Sequence, residues 1–284
     1  MANPRQLLSR DAVPKSPLAT ARAYQEWLDW MKMRRDPNIK DPWADTVRYD
    51  LNQSGYRCDE FEGSNGVRMF TIGCSRTYGT AIPYQSTFSY QLAGMIEQNL
   101  GLPTINWNLS NPGGSNDYVA RVLSSAVPTL KPDLAIINFT FMGRREFITE
   151  TGQVIGYTPN VPENIIKDVM HPEALDVYRA FDQLASRADD IKRFTLNYRL
   201  CEAVLEQHAV TWCYSTLEKI ASEEIFAIEG GKHHIGAILD ADAKAADGQH
   251  PGPEANRLFA DAIFQHLEAT GKLAAIKSAV LARG

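Results

Sequence analysis

Residues 134–139, Leu-Ala-Ile-Ile-Asn-Phe, form a six-residue run that is apolar almost throughout. A strand with one face in water alternates apolar and polar side chains. A run this continuous belongs in a sheet covered on both faces. Two more β-favouring runs precede it, Val67 to Ile72 and Ile105 to Leu109. Between these two, Phe88, Leu92, Ile96 and Leu100 sit four apart, a helical stripe that stops at Gly101. Asn116 to Ala126 reads as a second helix, ending near Pro128. Strand, helix, strand, helix, strand predicts an α/β fold with a parallel sheet between layers of helices. Sites in such sheets lie at the carboxyl ends of the strands. Ser75, Gly113 and the segment from Thr140 to Arg145 fall there.

The rest of the chain extends this pattern. Ala209 to Tyr214 reads as a fourth strand, and Pro251 to Leu267 as a closing helix. Leu258, Phe259, Ala262, Ile263, His266 and Leu267 share one face of it. Residues 145–172 read as irregular, punctuated by Gly152, Gly156, Pro159, Pro162 and Pro172. Residues 173–208 read as helical, with Ile191, Phe194, Tyr198, Cys201 and Leu205 along one face. Residues 1–66 read as an N-terminal extension that wraps a main domain of residues 67–284. Ser16-Pro17 starts a helix carrying Tyr24, Trp27, Leu28 and Met31, and a polar stretch broken by Pro37 and Pro42 follows. The segment at 145–208 is a mostly helical insert that shapes an acceptor pocket.

Composition narrows the function classes. With 284 residues, 44% of them hydrophobic and 22% charged, the chain builds an ordinary core without staples. Twenty-nine basic against thirty-four acidic side chains leave −5, which gives no electrostatic footprint for nucleic acid or an anionic membrane. No apolar run approaches the ~18 to 20 residues of a spanning helix. The N-terminus lacks the continuous apolar stretch of a signal peptide. Cys58, Cys74, Cys201 and Cys213 are scattered without C-x-x-C spacing. They read as free thiols in a reducing compartment, so a cytoplasmic location is expected.

The most informative short segment is Asp247-Gly248-Gln249-His250-Pro251. It lies just before the closing helix, a rigid support from which His250 is presented. Asp247 turns back toward the same imidazole. A carboxylate on one ring nitrogen fixes the tautomer and leaves the other nitrogen to take a proton. That proton needs a donor. Gly73-Cys74-Ser75-Arg76-Thr77-Tyr78-Gly79 follows the first strand, and a serine at such a turn projects its hydroxyl above the sheet edge. It is not the G-x-S-x-G elbow, because Thr77 stands at the second glycine.

Three segments together resemble the SGNH (GDSL-type) hydrolases. Gly73-Cys74-Ser75 with Thr77 and Gly79 is similar to the first block, with Cys74 replacing the usual Asp. Asn111-Pro112-Gly113-Gly114-Ser115-Asn116 is similar to the second, whose glycine donates a backbone N–H. Asp247 to Pro251 is similar to the last, with the Asp and His of the triad. The likeness spans roughly residues 67–268. It implies a flavodoxin-like three-layer α/β/α sandwich and a serine esterase with Ser75, His250 and Asp247 as catalytic residues. The implied oxyanion hole is formed by Ser75, Gly113 and Asn116, with Gly114 as the other reading of the second-block glycine. No cofactor is implied.

The third block departs from the pattern. Where the family shows G-x-N-D after the third strand, strand register puts Met142 at the Asn. The segment carries instead a T-x3-R-x-E pattern in Thr140, Arg144 and Glu146. The third oxyanion donor is then Asn116, or Asn138 if the register slips. Thr140, Arg144 and Gly114 are candidate substrate contacts. Arg144 either binds an anionic or carbonyl group of the substrate or pairs with Glu146. By family analogy the substrate is a small acyl ester, such as an O-acetyl group on a carbohydrate. Acyl transfer and an inactive binding protein on the same fold are the alternatives. His233-His234 with Asp240 and Asp242 lack a recognised metal spacing, so no metal is expected. His171, His208 and His266 read as surface or packing residues.

Overall fold

The structure, a computed structural model, describes residues 21–62, 65–150, 154–161, 174–240 and 243–283. Ser16, Pro17, Gly152, Pro162, His171, Pro172 and Asp242 lie outside them, as does the side chain of Tyr24. The elements are α1 (Ala21–Met33), β1 (Val67–Ile72), α2 (Ser75–Tyr78), α3 (Phe88–Leu100), β2 (Thr104–Asn108), α4 (Asn116–Leu130) and β3 (Leu134–Phe139). There follow β4 (Arg145–Ile148), β5 (Val154–Tyr157), α5 (Ala174–Leu184), α6 (Arg187–Gln207), β6 (Thr211–Thr216), α7 (Lys219–Glu229), α8 (Pro253–Ala269) and α9 (Lys272–Arg283).

β2, β1, β3 and β6 form one parallel sheet in that order. This is the beginning of the flavodoxin-like order. Beyond β6 a single parallel bridge, Tyr214 to His234, stands where a fifth strand would lie. Side chains alternate across each strand, and both faces are buried. Phe70, Ile72, Ile137, Phe139 and Tyr214 pack under α4, α6 and α7. Val67, Met69, Leu134, Ile136 and Cys213 pack under α3, α8 and α9. Two-sided burial is why residues 134–139 carry no alternation. Each fully buried Ile or Leu there contributes about 1.5–3 kcal/mol. The expected α/β/α sandwich with a central parallel sheet is the observed architecture.

Several boundaries differ from the sequence expectation. Residues 145–157 are not irregular: β4 and β5 pair as an antiparallel hairpin. Its strands are four residues each, too short for a pattern to register, and they are held by packing Ile155 and Tyr157 on Ala174 and Tyr178 of α5. The helical stretch after residue 173 is two helices, because Ser186 caps a new start by accepting the Asp189 N–H. α4 runs through Pro128 to Leu130, whose burial holds the last turn. Leu258 faces solvent, 54% exposed. After α8 comes α9, whose Leu273, Ile276 and Val280 are buried on the sheet.

Residues 27–57 lie against the main domain. Trp27 meets Tyr49 and Tyr78 edge-on at 4.4 and 5.5 Å. Arg57, 1% exposed, donates to the carbonyls of Arg48 and Gly79 at 2.6 Å and of Ile82 at 2.9 Å. Its guanidinium lies over Tyr49 at 4.6 Å. The buried cation thus clamps the extension to the loop after α2. Arg57→Ala removes three charge-assisted hydrogen bonds to backbone carbonyls and is expected to cost about 3 kcal/mol. Thermal denaturation should show Tm lower by several degrees; an unchanged Tm would mean that the clamp carries no stability.

At the α8–α9 junction, His266 Nε2 lies 3.2 Å from Lys272 Nζ. Burial and then the Lys272 charge push the imidazole down to about 4. The unfolded chain, with an ordinary histidine near 6.5, binds the proton first. Stability is therefore expected to fall as pH drops from about 6.5 toward 4. Tm measured across this range should fall less steeply in His266→Gln; equal slopes would reject the assignment.

Candidate active site

Ser75 is the first residue of α2, directly past the carboxyl end of β1. The residue is 9% exposed. At this position the backbone N–H has no intrahelical acceptor, and none is provided by the other described residues. His250 arrives from the loop before α8. Its Nε2 lies 2.9 Å from Ser75 Oγ. Its Nδ1 lies 2.6 Å from Asp247 Oδ2. The other carboxylate oxygen, Oδ1, accepts the backbone N–H groups of Gln249 and His250, both at 3.0 Å. Burial alone would raise the Asp247 carboxyl, but the His250 ring and these N–H groups hold it below the ordinary range. It stays an anion, fixed from two sides.

The tight turn that carries Asp247 uses Gly248 at φ +67, a left-handed conformation that L side chains rarely adopt. A Cβ there would also strike the Asp36 carboxylate from the extension. The Asp36 N–H donates to Ala246 O at 2.9 Å, and Arg34 hydrogen-bonds Gln249. The extension therefore braces the triad loop, a role that its polar sequence did not reveal. Gly248→Ala is expected to lower Tm and kcat together, since it moves His250; an unaffected kcat would show a loop that absorbs the strain.

β2 lies beside β1, so the loop after β2 meets Ser75. Asn111-Pro112-Gly113-Gly114 forms a type II turn closed by Gly114 N–H to Asn111 O at 2.9 Å, with Gly113 at φ +77. Pro and Gly stand where that turn type asks for them. The turn separates the two glycines: the Gly114 N–H is consumed, while the Gly113 N–H has no acceptor among the described residues. Ser115 then caps α4 by accepting the Tyr118 N–H at 3.1 Å. A cleft of about 330 Å³ opens beside Gly113, walled by this turn and by Ile155, Gly156 and Thr158 of the hairpin segment.

The loop after β3 meets the same crevice from the other side. Asn116 is 2% exposed and spends its carboxamide on one residue. Its Nδ2 donates to Thr140 O at 3.1 Å and its Oδ1 accepts the Thr140 N–H at 2.9 Å. It therefore braces the third-strand loop with its Oδ1 and one of its two Nδ2–H donors. Met142 is buried and apolar, 1% exposed, and Asn138 is fully buried in β3. The pairing of Arg144 with Glu146 is not formed either. Glu146 takes a two-point ion pair from Arg121, at 2.6 and 2.7 Å. Arg144 instead donates to Thr140 Oγ1 at 3.0 Å and to Gly114 O at 3.5 Å.

Cys74 is buried behind Ser75. Burial would raise its thiol, but the Arg144 charge, the Arg76 N–H and the Thr140 hydroxyl bring it below the ordinary value. His233 and His234 belong to the sheet edge rather than to this crevice. The His233 ring stacks on Trp212 at 4.0 Å.

No family model and no curated protein matches the chain. Among solved structures, the esterase EstA from Pseudoalteromonas sp. is 10% identical, covers 71% of this chain and 97% of its own, and superposes with a TM-score of 0.43. A lipolytic protein of the G-D-S-L family from Desulfitobacterium hafniense is 13% identical over 70% of this chain and 98% of its own, with a TM-score of 0.40. The acetylxylan esterase Axe2 from Geobacillus stearothermophilus, in a His-to-Ala variant, is 13% identical over 75% and 97%, with a TM-score of 0.31. The sheet order and the helices on both faces are those of a flavodoxin-like α/β/α sandwich. The chemistry is argued from the contacts within this chain. No helix among the described residues is long and apolar enough to cross a membrane. All four cysteines are unpaired.

Proposed function

We propose that the chain is a serine esterase that hydrolyses small acyl esters, an O-acetyl group on a carbohydrate among them. The observation that carries this reading is the unbroken line from Ser75 Oγ to His250 at 2.9 Å and from His250 to Asp247 at 2.6 Å. Ser75 Oγ attacks the ester carbonyl carbon while His250 Nε2 takes its proton. Asp247 holds the ring in the right tautomer and stabilises the imidazolium. The backbone N–H groups of Ser75 and Gly113, neither with an acceptor among the described residues, stabilise the tetrahedral oxyanion. His250 then protonates the leaving alcohol oxygen. Water, deprotonated by His250, attacks the acyl-enzyme and releases the acid and Ser75. The cleft beside Gly113 receives one arm of the ester, and the hairpin that walls it limits the size of that arm.

The test is hydrolysis of p-nitrophenyl acetate and of longer acyl esters, with fluorophosphonate labelling as a second readout. Turnover that falls with acyl length, together with covalent labelling of Ser75 that His250→Ala suppresses, is the expected result. A protein that neither hydrolyses any ester nor takes the label would be a binding or assembly protein on this fold, and the esterase reading would be abandoned.

A further inference from the structure

Two guanidinium groups stand at the crevice, and neither has a role in the triad. Arg76 directly follows Ser75 in α2. Its carbon Cζ lies 5.9 Å from the centre of the Phe141 ring, and its Nη1 donates to Leu239 O at 2.7 Å. Arg144 approaches the same ring from the loop after β3, at 5.0 Å. Its Nη1 is engaged by Thr140 Oγ1 and Gly114 O, and its Nε is buried without a partner. Both side chains are only partly exposed.

Neither arginine forms an ion pair with a carboxylate among the described residues. Three acids of the surrounding loops and helices are already taken: Glu146 by Arg121 at 2.6 Å, Asp190 by Arg145 at 2.5 Å, and Asp247 by His250. Other arginines of the chain, such as Arg68, Arg257 and Arg283, sit on carboxylates. Holding two cations on one phenylalanine ring without an acid is costly in the free protein. The cost is offset when an anion arrives. A planar guanidinium also matches the two oxygens of a carboxylate or phosphate. Arg76 stands on α2, just past β1, Arg144 is carried by the loop after β3, and Arg144 also touches the loop after β2. An anion between them would be registered directly against Ser75 and Gly113.

We propose that Arg76 and Arg144 form an anion-binding subsite, so that the ester this site hydrolyses carries a negatively charged group, a carboxylate or a phosphate. This deepens the esterase reading and rests on it. Phe141 is the floor that keeps the two guanidinium groups in place. The anion belongs either to the acyl part or to the alcohol part of the ester, and the probes below distinguish the two.

The experiment uses two pairs of esters, each an anion and its neutral methyl ester. Mono-4-nitrophenyl succinate and 4-nitrophenyl methyl succinate differ in charge on the acyl side. 4-Acetoxybenzoate and methyl 4-acetoxybenzoate differ on the alcohol side. The readout is the ratio of kcat/KM, anion over neutral, within each protein, so a general loss of activity cancels. In the full chain one pair should favour the anion by about tenfold to a hundredfold, the range of one or two charge-assisted hydrogen bonds. The preference should shrink in 1 M NaCl. Arg144→Gln and Arg76→Gln should each lower it by about tenfold, while Arg144→Lys keeps part of it.

Calorimetric binding of the same four esters to Ser75→Ala gives a readout independent of turnover. Selective binding of an anion there, lost in Ser75→Ala/Arg144→Gln, would sustain the subsite even if the intact protein hydrolysed nothing, and only the esterase reading would then fall. Equal handling of anion and neutral ester in both pairs would overturn the subsite. So would a preference that survives in the Arg76→Gln/Arg144→Gln double variant with an unchanged Tm.

Discussion

Ser75→Ala is expected to lower kcat on any hydrolysed ester by at least about 10⁴-fold while Tm moves by no more than about 1 °C. The two halves of this result follow from different facts. Ser75 Oγ hydrogen-bonds His250 Nε2 at 2.9 Å and is not tied to the backbone, so its loss leaves the α2 turn and its Gly79 terminus intact. The covalent step, by contrast, has no other hydroxyl on the His250–Asp247 line. Stopped-flow hydrolysis should also lose any acyl-enzyme burst, and fluorophosphonate should no longer label the protein. Residual activity within tenfold of the native protein would remove Ser75 as nucleophile and with it the whole line of proton transfer.

Asp247→Asn should cost nearly as much, about 10⁴-fold in kcat, for a different reason. An amide side chain still accepts the N–H groups of Gln249 and His250 through its oxygen. The atom facing His250 Nδ1 is then a donor, which forces the ring proton onto Nε2, the atom that must accept from Ser75. The geometry survives and the tautomer is wrong. A stability signature accompanies it. The folded-state carboxyl of Asp247 lies below its unfolded value of about 3.9. Its contribution is therefore present above that value and is lost as pH falls through the depressed folded one. The native protein should be the more stable of the two at pH 7, and the gap should close in acid. Activity that survives Asp247→Asn, or a stability gap that does not change with pH, would show that this carboxylate neither orients His250 nor is held as an anion.

The sandwich was legible because its code is local. LAIINF needs cover on both faces, and the four-spaced stripe of α3 and the strand runs beside it supply the layers. The chemistry of Asp247, His250 and Ser75 was legible as three short segments, since each carries its own turn or cap. The roles of individual donors were not. Asn116 and Gly113 look equally able to face an oxyanion in the sequence. Only the turn closed by Gly114 N–H singles out Gly113 over Gly114, and only the two bonds to the Thr140 backbone show Asn116 bracing the third-strand loop. Arg144 and Glu146, two residues apart, invited a local pair. Strand geometry points their side chains to the same side of β4, yet Arg144 lies before the strand begins and turns to Gly114, while Glu146 finds Arg121 across on α4.

By itself, then, the sequence determined the class of fold, the order of the layers and the segments able to carry nucleophile, base and acid. Those properties depend on hydrophobic period and on turn residues, which act over a few positions. The tertiary structure alone decided which backbone N–H groups lack an acceptor among the described residues, that the N-terminal extension braces the triad loop through Asp36 and Arg34, and that Arg76 and Arg144 meet on Phe141 with no carboxylate paired to either among those residues. Each of these depends on which partner wins a hydrogen bond or a charge across dozens of residues. That competition is settled by parallel strand pairing, which brings the loops after β1, β2 and β3 to one edge.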